Sequence, residues 1–230
     1  LDCPEEDMVR FLDIGAGPGI ALDVARQRFG WQTWGVEPNV SLCVRLEQRD
    51  HYMIVGSLEE SYFSCIGALD GYGAYILYAY EVLEHQPCPE EFLLRCYDLL
   101  EEGGLLVCVV PNDYNPLQLA SQKKLGLGPW WLAPPQHLWM FTPATLKLLL
   151  RRTGFQILDM RGTFPLEKFL LDGRCYVGND TVGRTCHAER VAYELEAVRS
   201  GKWDQLAQEY RFNLTQRIGR EIIAIARKLP

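Results

Sequence analysis

The sequence predicts an α/β fold of the doubly wound, Rossmann-like kind, and three observations carry that expectation. Short apolar strands alternate with helical segments along most of the 230 residues, the order that gives a parallel sheet with helices on both faces. Leu105 to Val110 is a near-continuous apolar run, as a central strand covered on both sides requires. The first strand also runs straight into Gly15-Ala16-Gly17-Pro18-Gly19, a glycine-rich turn that opens a helix.

The elements follow in order. Met8 to Ile14 reads as the first strand, and the helix after it carries Ile20, Val24, Ala25 and Phe29 to a stop at Gly30. Trp31 to Val36 is the second strand. Asn39 then caps a helix from Val40 to Arg49, whose Val40, Cys43, Val44 and Leu46 are expected to face the core. Tyr52 to Val55 and Ala74 to Tyr80 are the third and fourth strands. Pro89 suits the first turn of a helix through Glu101, which Gly103-Gly104 ends before the fifth strand, Leu105 to Val110. Pro143 opens a helix to Thr153, Gly154 stops it, and Gln156 to Met160 is the sixth strand. Arg220 to Arg227, short and rich in isoleucine, is the last of seven.

Between the sixth and last strands lie roughly 50 residues, too many for a mere loop. They hold expected helices at His187 to Ser200 and Lys202 to Phe212. The expected organisation is therefore a cofactor-binding domain of residues 1–162 with 217–230, and a helical cap of residues 163–216 inserted before the last strand.

Composition narrows the partners. Hydrophobic residues at 48% and charged ones at 23% describe an ordinary globular chain. A net charge of −7 repels polyphosphate, and Lys123-Lys124 and Arg151-Arg152 are too short to make a basic patch, so nucleic acid is not an expected partner. No apolar run reaches the ~20 residues of a spanning helix, so no membrane partner is expected either. The eight cysteines, at 3, 43, 65, 88, 96, 108, 175 and 186, form no Cys-x-x-Cys pair. They read as small buried hydrophobes in a reducing, cytoplasmic setting, with no metal. The start at Leu1 without a methionine leaves room for a removed upstream segment.

A strand, a glycine loop and a helix make a platform for a nucleoside or anion, because glycine lets the backbone approach the ligand. The dinucleotide fingerprint needs glycines at 15, 17 and 20, but position 20 is Ile and the glycines fall at 15, 17 and 19. Glu37 ends the second strand, where a carboxylate can accept hydrogen bonds from both ribose hydroxyls. That fits adenosylmethionine and NAD equally.

Four segments in order, FLDIGAGPG at 11–19, EVLEH at 81–85, EEGGLLVCVVPN at 101–112 and HLWMFTPATLKLLLRRTGF at 137–155, resemble class I S-adenosylmethionine-dependent methyltransferases. The resemblance is to small-molecule enzymes of the ubiquinone-biosynthesis O-methyltransferase type. The insertion before the last strand is also similar to a cap found in one bacterial subset. The resemblance implies a seven-stranded Rossmann-like sheet and S-adenosylmethionine as cofactor, with S-adenosylhomocysteine as product. It implies that Asp13, Gly15 and Gly17 hold the methionyl part and Glu37 the ribose, while Tyr80 and Glu81 lie against the cofactor. Where the family often has Asp after the third strand for the adenine, this sequence has Ser57, followed by Leu58. Some ubiquinone-type relatives use a Glu-x-x-Glu-His pattern, here Glu81, Glu84 and His85, to hold a divalent cation; no metal is expected here.

Methyl transfer is an in-line displacement that needs alignment and dryness more than a catalytic side chain. If the acceptor is a hydroxyl, a base helps, and histidine suits neutral pH. His85 and His137 follow strand ends and are the candidate bases, while His51 and His187 read as surface residues. Asn112, Trp131 and Tyr176 are candidates to contact a small-molecule acceptor, with Tyr114 and Asn179 weaker ones. The expected function is methyl transfer to a small molecule, with oxygen favoured over nitrogen or carbon. The alternatives are a non-catalytic cofactor-binding module and an NAD-dependent oxidoreductase. Oligomeric state is not read from the sequence.

Overall fold

The structure, a computed structural model, describes residues 9–230. The expected start of the first strand at Met8, and Cys3, lie outside the described residues. The strands are β1 (Arg10–Ile14), β2 (Gln32–Glu37), β3 (Tyr52–Val55), β4 (Ala74–Tyr80), β5 (Leu100–Pro111), β6 (Gln156–Gly162) and β7 (Glu221–Arg227). They form one seven-stranded sheet in the order β3-β2-β1-β4-β5-β7-β6, the Rossmann-like fold that the sequence predicts. β1 pairs in parallel with β2 on one side and β4 on the other, and β4 pairs in parallel with β5. The order therefore reverses at β1, and ligands of open α/β sheets bind at such a point, off the carboxyl ends of the strands. β7 is antiparallel to β5, since the Gly103 N–H donates to Lys228 O while the Asn112 N–H donates to Arg220 O.

The described chain divides into two compact units. The first holds the residues up to Val109, Lys147–Asp159 and Ala224–Pro230; the second holds Val110–Leu146 and Met160–Ile223.

In the first unit, β1 is buried from Phe11 to Ile14, and Leu12, Leu22, Val36, Leu46 and Leu77 fill the core around it. The helices are α1 (Ile20–Phe29), α2 (Val40–Glu47), α3 (Leu58–Ala68) and α4 (Pro89–Leu99). Gly30 ends α1 with φ of 69°, a left-handed stop that favours glycine. Asn39 caps α2 as expected, its side-chain oxygen accepting from the Ser41 and Leu42 N–H groups. The expected buried face of α2 needs correction. In α2 only Cys43 and Leu46 are buried, and in α1 Ile20 and Val24 are exposed while Leu22 and Ala25 point inward. At 3.6 residues per turn, about 100° each, Val40 and Val44 lie well off the face that Cys43 and Leu46 share. The fifth strand is longer than Leu105–Val110. Gly103 and Gly104 do not end α4, which stops at Leu99; they lie in an irregular stretch where the β4–β5 register shifts between Ala74 and Ile76.

The second unit contains α5 (Pro116–Leu125), α7 (Glu167–Leu171), α8 (Asp180–Arg199) and α9 (Trp203–Thr215), and it takes in the start of α6 (Pro143–Arg152). Within it, α5 packs on α7 and α8 on α9. α8 begins earlier than His187 because Asn179 caps it, accepting from the Val182 N–H. Gly219 and Gly162 are in such close contact that a Cβ on Gly219 would overlap the Gly162 backbone. Gly219→Ala is expected to destabilise by about 1–3 kcal/mol, the scale of overpacking, and urea unfolding is the check. Cys43, Cys65, Cys96, Cys108 and Cys186 are buried, Cys88 is exposed and Cys175 intermediate, and all seven are free. No helix of the described residues is long and apolar enough to cross a membrane.

Candidate functional site

The carboxyl ends of β1 to β4, all in the first unit, gather most of the expected cofactor residues. Asp13, near the end of β1, is buried. Burial pushes its carboxyl up to about 7, and neighbouring Glu37 pushes the same way. A carboxylate so placed is stabilised by a cation beside it. The next residues turn sharply: Gly15, Gly17 and Gly19 have φ of 75°, 50° and 79°, a region that only glycine enters freely. The Gly15 N–H donates to Val36 O at 2.8 Å, which ties the loop to β2. A Cβ on Gly15 would fall 2.6 Å from Val82 Cγ2, so that position also needs glycine for space.

Glu37 is fixed from both sides. Its Oε2 accepts from the Gly17 N–H at 2.9 Å and its Oε1 accepts from the Asn39 N–H at 2.9 Å. Each oxygen keeps a lone pair, so the carboxylate is pre-aimed and still able to accept from two vicinal hydroxyls. Gly17 thus serves the site partly by orienting Glu37.

Ser57 has different work. It is the N-cap of α3, its hydroxyl accepting from the Glu60 N–H and donating to the Glu60 carboxylate. The hydroxyl expected at the adenine is therefore engaged in a capping box, and Leu58 behind it is buried. Ser57→Ala is expected to lower stability by about 1 kcal/mol in urea unfolding with little change in adenosylhomocysteine affinity. A tenfold loss of that affinity would instead place the hydroxyl on the ligand.

Tyr80, at the end of β4, is exposed and stacks on Tyr78 with ring centroids 6.3 Å apart. Glu81 follows with φ of 52° and its N–H donating to Val109 O. A non-glycine residue in that region stores backbone strain, a common feature of functional sites. His85 ends a single 3-10 turn from Leu83, with Nε2 4.0 Å from Oε1 of fully buried Glu84. His51, read as a surface residue, is in fact buried, held between Thr33 Oγ1 at 2.7 Å and Asp23 Oδ1 at 3.0 Å.

The second unit holds the other candidates. The Asn112 amide donates to Arg217 O and Gly219 O, so it braces the turn into β7. Trp131 is buried and meets Tyr114 and Trp130 edge to face. Burial pushes the Tyr176 phenol up, and the charge of Glu167 adds to this. The His137 N–H donates to Ala133 O in the turn that carries it. Sequence reasoning missed three charged residues here. Asp113 and Glu167 are buried, and Arg220 Nη1 lies 3.1 Å from Glu167 Oε1.

The reversal of strand order, the glycine loop and the pre-aimed Glu37 define a domain that binds a ribose-bearing cofactor. The chain belongs to the methyltransferase-domain family, whose family model matches residues 4–159, within the class I S-adenosylmethionine-dependent group. A ubiquinone biosynthesis O-methyltransferase of Cereibacter sphaeroides is 29% identical over 161 residues, 67% of this chain and 63% of that one. The chain thus spans under two thirds of that relative. A tRNA U34 carboxymethyltransferase of Idiomarina loihiensis is 24% identical, covering 63% of this chain and 45% of its own. Among solved structures, a SAM-dependent methyltransferase from Archaeoglobus fulgidus superposes with a TM-score of 0.57 at 20% identity, covering 96% and 86%.

The residues present fit S-adenosylmethionine. Buried Asp13 suits the ammonium of its methionyl arm, and Glu37, with a lone pair free on each oxygen, suits the vicinal hydroxyls of its ribose.

Proposed function

We propose that the chain transfers a methyl group from S-adenosylmethionine to a hydroxyl oxygen of a small-molecule acceptor. The observation that carries this reading is Glu37, fixed by the Gly17 and Asn39 N–H groups beside buried Asp13. When bound, S-adenosylmethionine supplies a methyl on a positively charged sulfur. The chain's residues hold and align: Glu37 accepts from the ribose, Asp13 balances a cationic end, and the glycine loop allows close approach. Transfer of that methyl to a hydroxyl would require a base to take the hydroxyl proton. His85 and His137 are the candidate bases.

The likeness to ubiquinone-biosynthesis enzymes supports oxygen as the acceptor atom, and the net charge of −7 favours a small acceptor over a polynucleotide. Incubation with labelled cofactor and a panel of hydroxylated small molecules tests the reading, with adenosylhomocysteine formation as the readout. Tight adenosylhomocysteine binding without transfer to any acceptor would favour a non-catalytic cofactor-binding module. Preference for NAD would overturn the cofactor assignment.

A further inference from the structure

The glycine loop of the first unit is held by side chains from both ends of α2. Before the helix, Glu37 Oε2 accepts from the Gly17 N–H at 2.9 Å. Just after it, Arg49 Nη2 donates to the carbonyl of the next loop residue, Pro18, at 2.5 Å. The other arm of the guanidinium, Nη1, donates to Asp23 Oδ2 in the first turn of α1. Asp23 Oδ1 lies 3.0 Å from Nε2 of His51, and His51 Nδ1 lies 2.7 Å from Thr33 Oγ1 in β2. A carboxylate only accepts, so Nε2 carries the proton and both oxygens of Asp23 are engaged. The chain of bonds thus runs outward from buried Thr33 and His51, through Asp23 and Arg49, to the loop.

An exposed ion pair by itself stabilises a fold little. Arg49 differs from such a pair in being aimed by a carboxylate that a buried histidine holds in place. Gly19 leaves it room, since a Cβ there would fall 2.8 Å from Arg49 Nη2 and 2.1 Å from Leu46 Cδ2. The third glycine of the loop is therefore the space through which the end of α2 closes on it. Arg26 offers a contrast. It makes a similar bridge from α1 to the turn after α2, but with both of its hydrogen bonds on Asp50.

Resting on the cofactor assignment above, we propose that Arg49 is a positioning residue for S-adenosylmethionine, holding Pro18 so that the glycine loop keeps the shape the cofactor binds. Asp23 and His51 are the anchor that aims it. Pro18 has no N–H, so its carbonyl is the polar backbone group by which this residue can be held. Releasing that carbonyl frees a segment flanked by Gly17 and Gly19, both at positive φ, to take other shapes. Apparent affinity falls with the fraction of molecules whose site is in the binding shape. The same segment carries the Gly17 N–H that orients Glu37, so its release also reaches the ribose contact.

The test compares Arg49→Met, Arg49→Lys and Asp23→Asn with Arg26→Met, all in the full chain. Adenosylhomocysteine affinity is read by titration calorimetry and stability by urea unfolding. Exchange of the Gly17 and Gly19 amide hydrogens is read by NMR in the ligand-free protein. Arg49→Met is expected to weaken binding about tenfold, the scale of one hydrogen bond to a charged group. Its urea midpoint should change little, while the two loop amides exchange severalfold faster. Arg49→Lys keeps the charge without the fork that reaches two partners, and should recover part of the affinity. Asp23→Asn leaves one side-chain acceptor for two donors and should weaken binding severalfold; it carries the test if Arg49→Met does not fold. Arg26→Met should bind as the wild type does. A role in the fold alone would lower the midpoint and leave affinity and loop exchange unchanged. That result, affinity within twofold of wild type for Arg49→Met, or an equal loss in Arg26→Met would overturn the proposal. Failure of adenosylhomocysteine to bind the wild type would overturn the cofactor assignment instead, and the exchange measurement, made without ligand, tests the brace independently.

Discussion

Glu37→Ala is expected to weaken adenosylhomocysteine binding by roughly a hundredfold. Two charge-assisted hydrogen bonds to ribose hydroxyls contribute about 1.5 kcal/mol each at the low end, and about 1.4 kcal/mol is a factor of ten. The variant also frees the Gly17 and Asn39 N–H groups that the carboxylate now engages. It therefore loses loop order as well as a ligand contact. Glu37→Gln should give an intermediate loss, because its one carbonyl oxygen can hold a single N–H while its NH2 group meets the other as donor against donor. Titration calorimetry on both variants beside the wild type, with urea unfolding as a control for folding, measures this. Affinity within threefold of wild type for Glu37→Ala, in a protein that unfolds normally, would remove Glu37 from the site and with it the observation on which the proposed function rests.

Much of this candidate site was legible in the sequence because its geometry is local. Asp13, Gly15, Gly17 and Glu37 sit at strand ends, and strand ends announce themselves through apolar runs that stop at glycine or a carboxylate. Ser57 shows what such reading leaves out. A serine after a strand looks like a ligand for the cofactor, but with Glu60 three residues on it forms a capping box, a pattern that would have revealed α3. The absence of apolar periodicity in Pro116–Leu125 hid α5 for a deeper reason. Its inward face is polar, and periodicity searches assume the opposite. Glu167 and Arg220 are 53 positions apart, and nothing in either neighbourhood marks them as partners. Their pairing is a product of the tertiary fold. The corrected face of α2 has a simpler cause: Val40, Cys43, Val44 and Leu46 are all apolar, but the angle between them decides which share a face.

Adenosylhomocysteine binding is also expected to depend on pH through Asp13. Burial, with a contribution from Glu37, holds this carboxyl at about 7, while an unfolded aspartate titrates near ~3.9. The protonated form is thus favoured by the fold. The stability it contributes is fully present below about pH 4 and is lost as pH rises through 7, at about 1.4 kcal/mol for each unit between. A ligand ammonium placed against Asp13 favours the ionised form, so binding below pH 7 must expel a proton. Affinity should rise about tenfold per pH unit up to 7 and level off above it, roughly a hundredfold between pH 5 and 7. The gap in unfolding midpoint between bound and free protein should widen over the same range, because the free protein loses stability while the complex, ionised at Asp13 like the unfolded chain, holds its own. Asp13→Asn should flatten the profile. In Glu37→Gln the break should move to lower pH, since the second source of the raised value is gone. Calorimetry in two buffers of different ionisation enthalpy reads the released proton directly. A flat affinity profile from pH 5 to 8 in the wild type, with no proton released, would mean that Asp13 does not meet the charged end of the ligand and that its burial serves the fold alone.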